Sequence, residues 1–329
     1  MEEKIDVLLA TYNGEKYLKE QIDSILNQTY KNIHLIVSDD SSRDGTRQIL
    51  KQYETDERIT IHYQEENLGY VKNFEFLLQQ VESEYYMLSD QDDVWRPEKI
   101  AKSMETLKNN DADMVFGDLE VVDENLKTIY SSFGDFMKLN RKIKKQINSY
   151  EVNYLYNCVT GCTVLSKKEF IKDILPIPTS SKYLIHDHWM GLIISLNGKL
   201  AYMSEKYIKY RQHGNNQVGT DKISHKFNKL DQVRELFINV KLGIFETYVE
   251  NNDKFPKKLQ QLNKQGLDYF KMLQNKKHFN FKGWNIYHKL YKNETLFYYI
   301  LNFIIMNLPF IGRGLFNIRY AILKLLKKR

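Results

Sequence analysis

Cysteine is almost missing from this chain, with only Cys158 and Cys162 among 329 residues. Two thiols neither staple a secreted scaffold nor complete a cysteine zinc site, and a reducing compartment is the simplest setting. The opening residues are not expected to be a secretory leader either. Met-Glu-Glu-Lys runs straight into an apolar stretch, with no basic segment and no long hydrophobic run before it, so cytoplasmic residence is the expectation. Internal repeats and low-complexity tracts are lacking too, and 42% apolar with 27% charged residues exclude a long disordered or fibrous chain. The length accommodates one large domain or two moderate ones. Aromatic residues, in contrast, are abundant, with 23 Tyr and 17 Phe.

Charge is unevenly spread. Residues 1–220 carry 27 Lys and Arg against 34 Asp and Glu, whereas residues 221–329 carry 21 against 8, so the net +6 divides into −7 and +13. A basic tail on an acidic body implies an anionic partner, either nucleic acid or a phospholipid surface. Residues 296–311 are mostly apolar but interrupted by Asn302, Asn307 and Pro309. As a helix they would reach about 24 Å, short of a bilayer core of roughly 30 Å. Past Gly312, the polar positions Arg313, Asn317, Lys324 and Lys328 recur at helical spacing opposite Leu315, Ile318, Ile322, Leu325 and Leu326. Such a helix suits an anionic membrane surface, because its apolar face has no use along nucleic acid. Packing on its own core or in a homo-oligomer interface is the alternative.

The first 120 residues alternate apolar β-rich runs with helical periodicity. Residues 5–10 precede a turn at Asn13-Gly14 and a helix face of Leu18, Ile22 and Ile25. The pattern repeats at 33–37 with a helix from Thr46, at 59–63 with a helix carrying Phe74, Leu77 and Leu78, and at 85–88 with a helix opened by Pro97. Four such units predict an α/β fold with a parallel sheet. Further on, 114–122 reads as a strand, 141–146 as a basic surface stretch, 158–165 as a strand or tight loop, and the chain beyond 216 as helical.

Polar residues gather where the strands end. The first leads into Thr11-Tyr12-Asn13-Gly14, the second into Asp39-Asp40-Ser41-Ser42-Arg43-Asp44-Gly45-Thr46, and the fourth into Ser89-Asp90-Gln91-Asp92-Asp93. Ligands of open parallel sheets bind outside the carboxyl ends of the strands, so these loops form the candidate site. Hydroxyls and carboxylates there accept hydrogen bonds from a base and ribose, and carboxylates spaced i, i+2 hold a divalent cation. Each loop alone has a plainer reading, Asn-Gly as a turn and Asp-Ser-Ser as a helix cap. Gathered at one sheet edge, however, the carboxylates repel one another unless a cation uses them.

On these residues, segment 4–215 resembles the family-2 inverting glycosyltransferases of GT-A fold, which transfer a sugar from a nucleotide donor. The matching features are Ala10-Thr11-Tyr12-Asn13-Gly14, Asp39-Asp40-Ser41-Ser42 with Asp44-Gly45-Thr46, Asn67-Leu68-Gly69 with Asn73, and Asp90-Gln91-Asp92 as a form of the DxD motif. Ser89-Asp90-Gln91-Asp92-Asp93-Val94-Trp95 and Tyr210-Arg211-Gln212-His213-Gly214-Asn215-Asn216 look most like the rhamnosyltransferase-type branch that builds bacterial surface polysaccharides. The resemblance implies a GT-A domain over 1–215, with a nucleotide-binding half 1–110 and an acceptor half 111–215, followed by a helical basic region 216–329. It further implies a dTDP- or UDP-sugar donor, Mg²⁺ or Mn²⁺, and a lipid-linked or polysaccharide acceptor. Thr11, Tyr12, Asn13, Asp39, Asp40 and Asp90 would then meet base and ribose, and Asp92 the cation on the diphosphate. Asp93 is expected to support these residues or to cap the next helix.

Inversion also needs a base for the acceptor hydroxyl. Asp187, in His186-Asp187-His188-Trp189, stands where the family carries its catalytic acidic residue, and capping the apolar helix 189–196 is the alternative reading. Zinc would need further ligands beyond His186 and His188, which are expected to pack or support. Asn157, Gly161 and Trp189 are expected on the diphosphate or acceptor side. His213 would reach the metal or diphosphate and Arg211 would add a fixed positive charge there, an exposed loop histidine being the plainer reading. Cys162 is expected to pack. No Gln-x-x-Arg-Trp motif of processive members occurs, which favours single-sugar addition. Two rivals are a sugar-phosphate nucleotidyltransferase, which should show a Gly-rich pyrophosphate loop that residues 11–18 lack, and a non-catalytic carbohydrate-binding protein.

Overall fold

The computed structural model describes residues 2–136, 150–214, 230–275, 281–292 and 296–307. The basic stretch 141–146, the amphipathic segment 313–328, Asn215 and Asn216 lie outside the described residues.

The expected strand–helix units open the chain: β1 (Ile5–Thr11) and α1 (Leu18–Leu26), β2 (Ile33–Asp39) and α2 (Thr46–Lys51), then β3 (Ile59–Tyr63) and α3 (Tyr70–Gln79). After β4 (Tyr85–Ser89) a two-residue strand, β5 (Val94–Trp95), precedes α4 (Lys99–Asn109). The remaining strands are β6 (Met114–Gly117), β7 (Glu120–Val122), β8 (Thr128–Tyr130), β9 (Leu165–Lys167), β10 (Leu200–Met203) and β11 (Ile208–Arg211). Seven strands form one sheet in the order β10-β6-β9-β4-β1-β2-β3, parallel except for β9, and β5-β11-β7-β8 form a second. The alternation of apolar residues sends Val7, Leu9, Leu35, Val37 and Met87 to one face, where the Leu18, Ile22 and Ile25 stripe of α1 meets them. Asp6 is the one charged residue in β1 and wholly buried. Its carboxylate accepts Glu82 N and Ser83 N at 2.8 Å and Ser83 Oγ at 2.7 Å, which fixes the entry into β4.

One local expectation needs correcting. Residues 114–122 form two strands in different sheets. Between them Asp118 turns its carboxylate inward to Leu119 N at 2.8 Å, Gly134 N at 2.8 Å and Ser132 Oγ at 2.5 Å, so the side chain satisfies a turn. Residues 158–165, expected as a strand or tight loop, form the loop: a 3₁₀ turn, Gly161–Thr163, leads into β9.

The chain divides into two compact units, Met1–Thr179 with Ile185–Gln217, and Ser180–Leu184 with Val218–Arg329. The described helices of the second unit are Leu230–Glu250, Lys257–Gln274, Phe281–Tyr291 and Leu296–Asn307. They gather Phe245, Tyr248, Tyr269, Phe270 and Tyr287 into an aromatic core, which accounts for part of the aromatic surplus. Gly266 seats Phe245, since a Cβ there would stand 2.3 Å from Phe245 Cε1. Among the described residues no helix is long and apolar enough to cross a membrane.

Candidate active site

The chain runs outward from β1 through β2 to β3, then returns to the opposite side of β1 as β4. That reversal opens a crevice at the carboxyl ends of β1 and β4. Thr11 pairs with Asp39 across β1 and β2, and Leu9 with Ser89 across β1 and β4, so the three polar loops meet there. Gln91 fastens two of them. Its Oε1 accepts Thr11 Oγ1 at 2.6 Å and Tyr12 N at 2.8 Å, and its Nε2 donates to Tyr12 O at 3.1 Å. The amides that follow are occupied by side chains: Asn13 N donates to Ser42 Oγ at 2.8 Å, Gly14 N to Thr46 Oγ1 at 2.8 Å and Glu15 N to Asp44 Oδ2 at 3.2 Å. Four successive N–H groups from Tyr12 to Glu15 thus point into the protein.

The residues expected to meet base and ribose divide by exposure. Tyr12 is exposed, whereas Thr11 is tied to Gln91 and Asn13 Oδ1 accepts Arg43 N at 2.9 Å. Asp39 is wholly buried, with Arg47 Nε 2.7 Å from its Oδ2 and Ser42 N approaching both oxygens. Arg47 therefore covers the carboxylate that the resemblance would offer to a ligand. Asp40 turns to the loop after β3, accepting Leu68 N at 2.6 Å and Gly69 N at 2.9 Å, while Asn67 Nδ2 donates to Asp40 O at 3.0 Å. Gly69 has φ +79° and ψ 153°, and a Cβ there would meet nothing within 4 Å. Gly69→Ala should accordingly cost about 1–3 kcal/mol from backbone strain alone. A lower denaturant midpoint at unchanged m-value is the expected record.

Asp90 and Asp92 follow β4. Burial first, then the charges of Asp92 and Asp187, push the Asp90 carboxyl up to about 7. Asp92 Oδ2 lies 2.8 Å from His213 Nε2, whose ring sits against Tyr17 at 4.9 Å between centroids. Carboxylate oxygens beside one imidazole suit a hard divalent cation, and crowded negative charge at Asp90 is what such a cation relieves, so these residues fit Mg²⁺ or Mn²⁺. Arg211 is directed differently from the diphosphate contact expected. Its Nε donates to Asp92 O at 2.9 Å, Nη1 to Glu124 O at 2.7 Å, Nη2 pairs with Glu20, and the guanidinium lies 4.5 Å over the Tyr17 ring. It holds the acidic loop by its main chain.

Asp93 points inward and does not cap α4. It is buried, and its Oδ1 accepts Arg211 N at 3.2 Å. Asp90, Asp93 and Cys162 bring potential ligand atoms within 4.8 Å of one another. A cation is nevertheless poorly served among the three: burial raises the Cys162 thiol so that it stays neutral, and the Lys99 amine, which burial pushes down to about 7, already faces Cys162 and Asp93. The Lys99 Nζ lies 3.3 Å from the centroid of the Trp95 ring.

Asp187 stands in the first turn of the helix His186–Asn197, one residue past the start, with Ile185 as the cap. A carboxylate there is favoured by the helix N-terminus. Its Oδ1 accepts Asn157 Nδ2 at 2.9 Å and His188 N at 2.6 Å, and its Oδ2 accepts Gly161 N at 3.1 Å. Burial keeps the carboxyl above its ordinary range, opposed by His186 and by these three donors. Glycine at 161 brings the chain close to this pair: a Cβ would come within 3.1 Å of His186 Nε2, a tight contact, and 3.5 Å of Asp187 Cβ. Of the expected acceptor residues, Asn157 and Gly161 thus orient Asp187. Trp189 is wholly buried, its Nε1 donating to Ile174 O at 2.8 Å, which leaves it no face for a ligand. His186 stacks on Phe74 at 4.4 Å and His188 Nε2 bonds Asn153 O at 2.6 Å, the packing roles expected of them.

The sequence profile of glycosyl transferase family 2 matches residues 6–175, more than half of the chain. The chain belongs to that family. Among curated relatives, an uncharacterised glycosyltransferase of Haemophilus influenzae is 31% identical over 216 residues, covering 64% of this chain and 66% of that protein. The dTDP-rhamnosyl transferase RfbG of Shigella flexneri is 29% identical over 242 residues, 69% of this chain and 79% of that protein. The match spans 64–66% of the length of the Haemophilus influenzae protein and two further relatives. Among solved structures, S. aureus TarS 1–349 in complex with UDP-GlcNAc aligns with a TM-score of 0.56 at 20% identity, over 82% of this chain and 72% of that one. Mannosyltransferase PcManGT from Pyrobaculum calidifontis, in complex with GDP-Man and Mn²⁺, aligns at 0.52 and 14% identity, over 90% and 77%. At such identities the likeness is one of fold, and this family-2 chain has the expected GT-A architecture, a largely parallel sheet accompanied by a helical C-terminal region.

Proposed function

We propose that this chain transfers one sugar, rhamnose being the candidate its RfbG likeness suggests, from a dTDP- or UDP-linked donor to a lipid-linked or polysaccharide acceptor, with inversion and with a divalent cation. The observation that carries the reading is that one 3₁₀ turn touches both groups: Gly161 N donates to Asp187 Oδ2 at 3.1 Å, and the next residue, Cys162, has its Sγ within 4.8 Å of carboxylate oxygens of Asp90 and Asp93. A base and a cation-binding carboxylate pair in one crevice are the two groups that displacement of a nucleoside diphosphate requires. Asp92 and Asp90, with His213 beside them, would hold Mg²⁺ or Mn²⁺, which when bound neutralises charge on the leaving diphosphate. Tyr12, exposed at the end of β1, offers its ring to the nucleotide. Asp187 takes the acceptor proton, while Asn157, Gly161 and His188 fix its oxygens.

The occupied amides from Tyr12 to Glu15 argue against a nucleotidyltransferase, since no free row of N–H groups is left in that loop for a pyrophosphate. The buried base carboxylate argues against a purely sugar-binding role. The +13 charge of residues 221–329 supports peripheral attachment at an anionic membrane face. Incubation with a panel of nucleotide sugars tests the reading. Nucleoside diphosphate release is expected; formation of nucleoside triphosphate and sugar 1-phosphate only when inorganic pyrophosphate is added would indicate the nucleotidyltransferase, and neither outcome would indicate a binding protein.

A further inference from the structure

At His186, the residue before Asp187, the structure builds an aromatic step. Tyr70 opens α3 immediately after Gly69 and stays 40% exposed, whereas most aromatic rings of its unit are covered. Its ring meets the edge of His186 at 6.1 Å between centroids, and His186 is in turn stacked on buried Phe74 at 4.4 Å. The Tyr70 phenol lies near enough to Asp187 to feel its charge, which with burial raises its pKa. The step is held from below. Asp40 clamps Leu68 N and Gly69 N, and Gly69 takes a backbone conformation that directs the chain into α3. These contacts hold one exposed ring against the residue before the base.

We infer that Tyr70 forms the acceptor subsite, and that the group it receives is a sugar ring laid against its face with a hydroxyl directed to Asp187. A pyranose has one face of C–H groups and a rim of hydroxyls, and an aromatic wall next to a carboxylate complements both. A bare polyprenyl phosphate has no such face. The acceptor is therefore already glycosylated, and the reaction supplying it is an earlier sugar transfer. This inference deepens the proposed function and rests on Asp187 as the base.

The test uses the full chain with the donor that releases nucleoside diphosphate in the panel above. Three acceptor probes are offered: octyl glycosides, a polyprenyl diphosphate sugar, and sugar-free polyprenyl phosphate. Transfer to either glycosylated probe is expected, and the better of the two identifies a free glycan or a lipid-linked one as the source. Transfer only to sugar-free polyprenyl phosphate would overturn the inference. Tyr70→Ala should raise acceptor KM about tenfold while donor Kd, measured by calorimetry, stays put, and Tyr70→Phe should retain acceptor KM within about threefold. An unchanged acceptor KM in Tyr70→Ala, or acceptor KM and donor Kd rising together, contradicts the assignment. Absence of nucleoside diphosphate release from wild type with every donor would instead bring down the glycosyltransferase reading, and this inference with it.

Discussion

Asp187→Asn should lower turnover by about 10² to 10⁴ while donor affinity stays at the wild-type level. The amide cannot take the acceptor proton, yet it keeps the carboxylate's shape. It also breaks no hydrogen bond to the cation-binding side, because Asp187 is bonded to Asn157, Gly161 and His188. One N–H of the new amide must face a former donor, Gly161 N or Asn157 Nδ2, so stability should fall by about 1–3 kcal/mol. The pH profile adds a second check. Burial holds the Asp187 carboxyl above the ordinary carboxylate range, so a base there becomes active in a step lying above pH ~4. Turnover of wild type should climb through that step, and the step should vanish in the variant. Loss of donor binding together with turnover would move Asp187 to the diphosphate side.

Asp92→Ala should abolish the dependence of donor binding on Mg²⁺ or Mn²⁺. Its Oδ2 is bonded to His213, whereas the tie to Arg211 runs through the Asp92 carbonyl and survives truncation of the side chain. The loop should therefore keep its course, with a melting temperature near wild type. A cation's charge stabilisation of several kcal/mol corresponds to a turnover loss of about three decades. Mn²⁺ uptake followed by electron paramagnetic resonance gives the same answer without turnover: bound Mn²⁺ in wild type, little in the variant. Equal uptake by both would remove Asp92 from the cation site.

Much of this architecture is legible in the sequence because it is local. The Leu18, Ile22, Ile25 stripe and the apolar runs at 5–10 and 33–37 each declare an element through periodicity, and the polar loops lie next to the strands they terminate. What escapes such reading depends on pairs far apart in the chain. Asp118 breaks an apparently continuous strand only because Ser132 and Gly134 return to it. The Asp39-Asp40 motif does not show that Arg47, eight residues on, pairs with Asp39, or that the loop at Leu68 bonds to Asp40. Gln91 sits between the two acidic residues of the motif and shows no periodic signal, yet it joins the first loop to the third. The contact of Trp95 with Lys99 carries no periodic signal either, since it spans the turn from β5 into α4. Tyr70 carried none, since its meaning comes from His186 and Asp187 more than a hundred residues later.

The central claim is direct displacement at the sugar carbon, with Asp187 as base and the acidic loop receiving the diphosphate. Anomeric configuration tests it most directly. The product formed from the active donor is examined by proton NMR, and the coupling of its anomeric proton is compared with that of the donor. The account predicts a transferred sugar of opposite anomeric configuration, formed at a rate that depends on Asp187 and on the divalent cation. A product that retains the donor's configuration would contradict it.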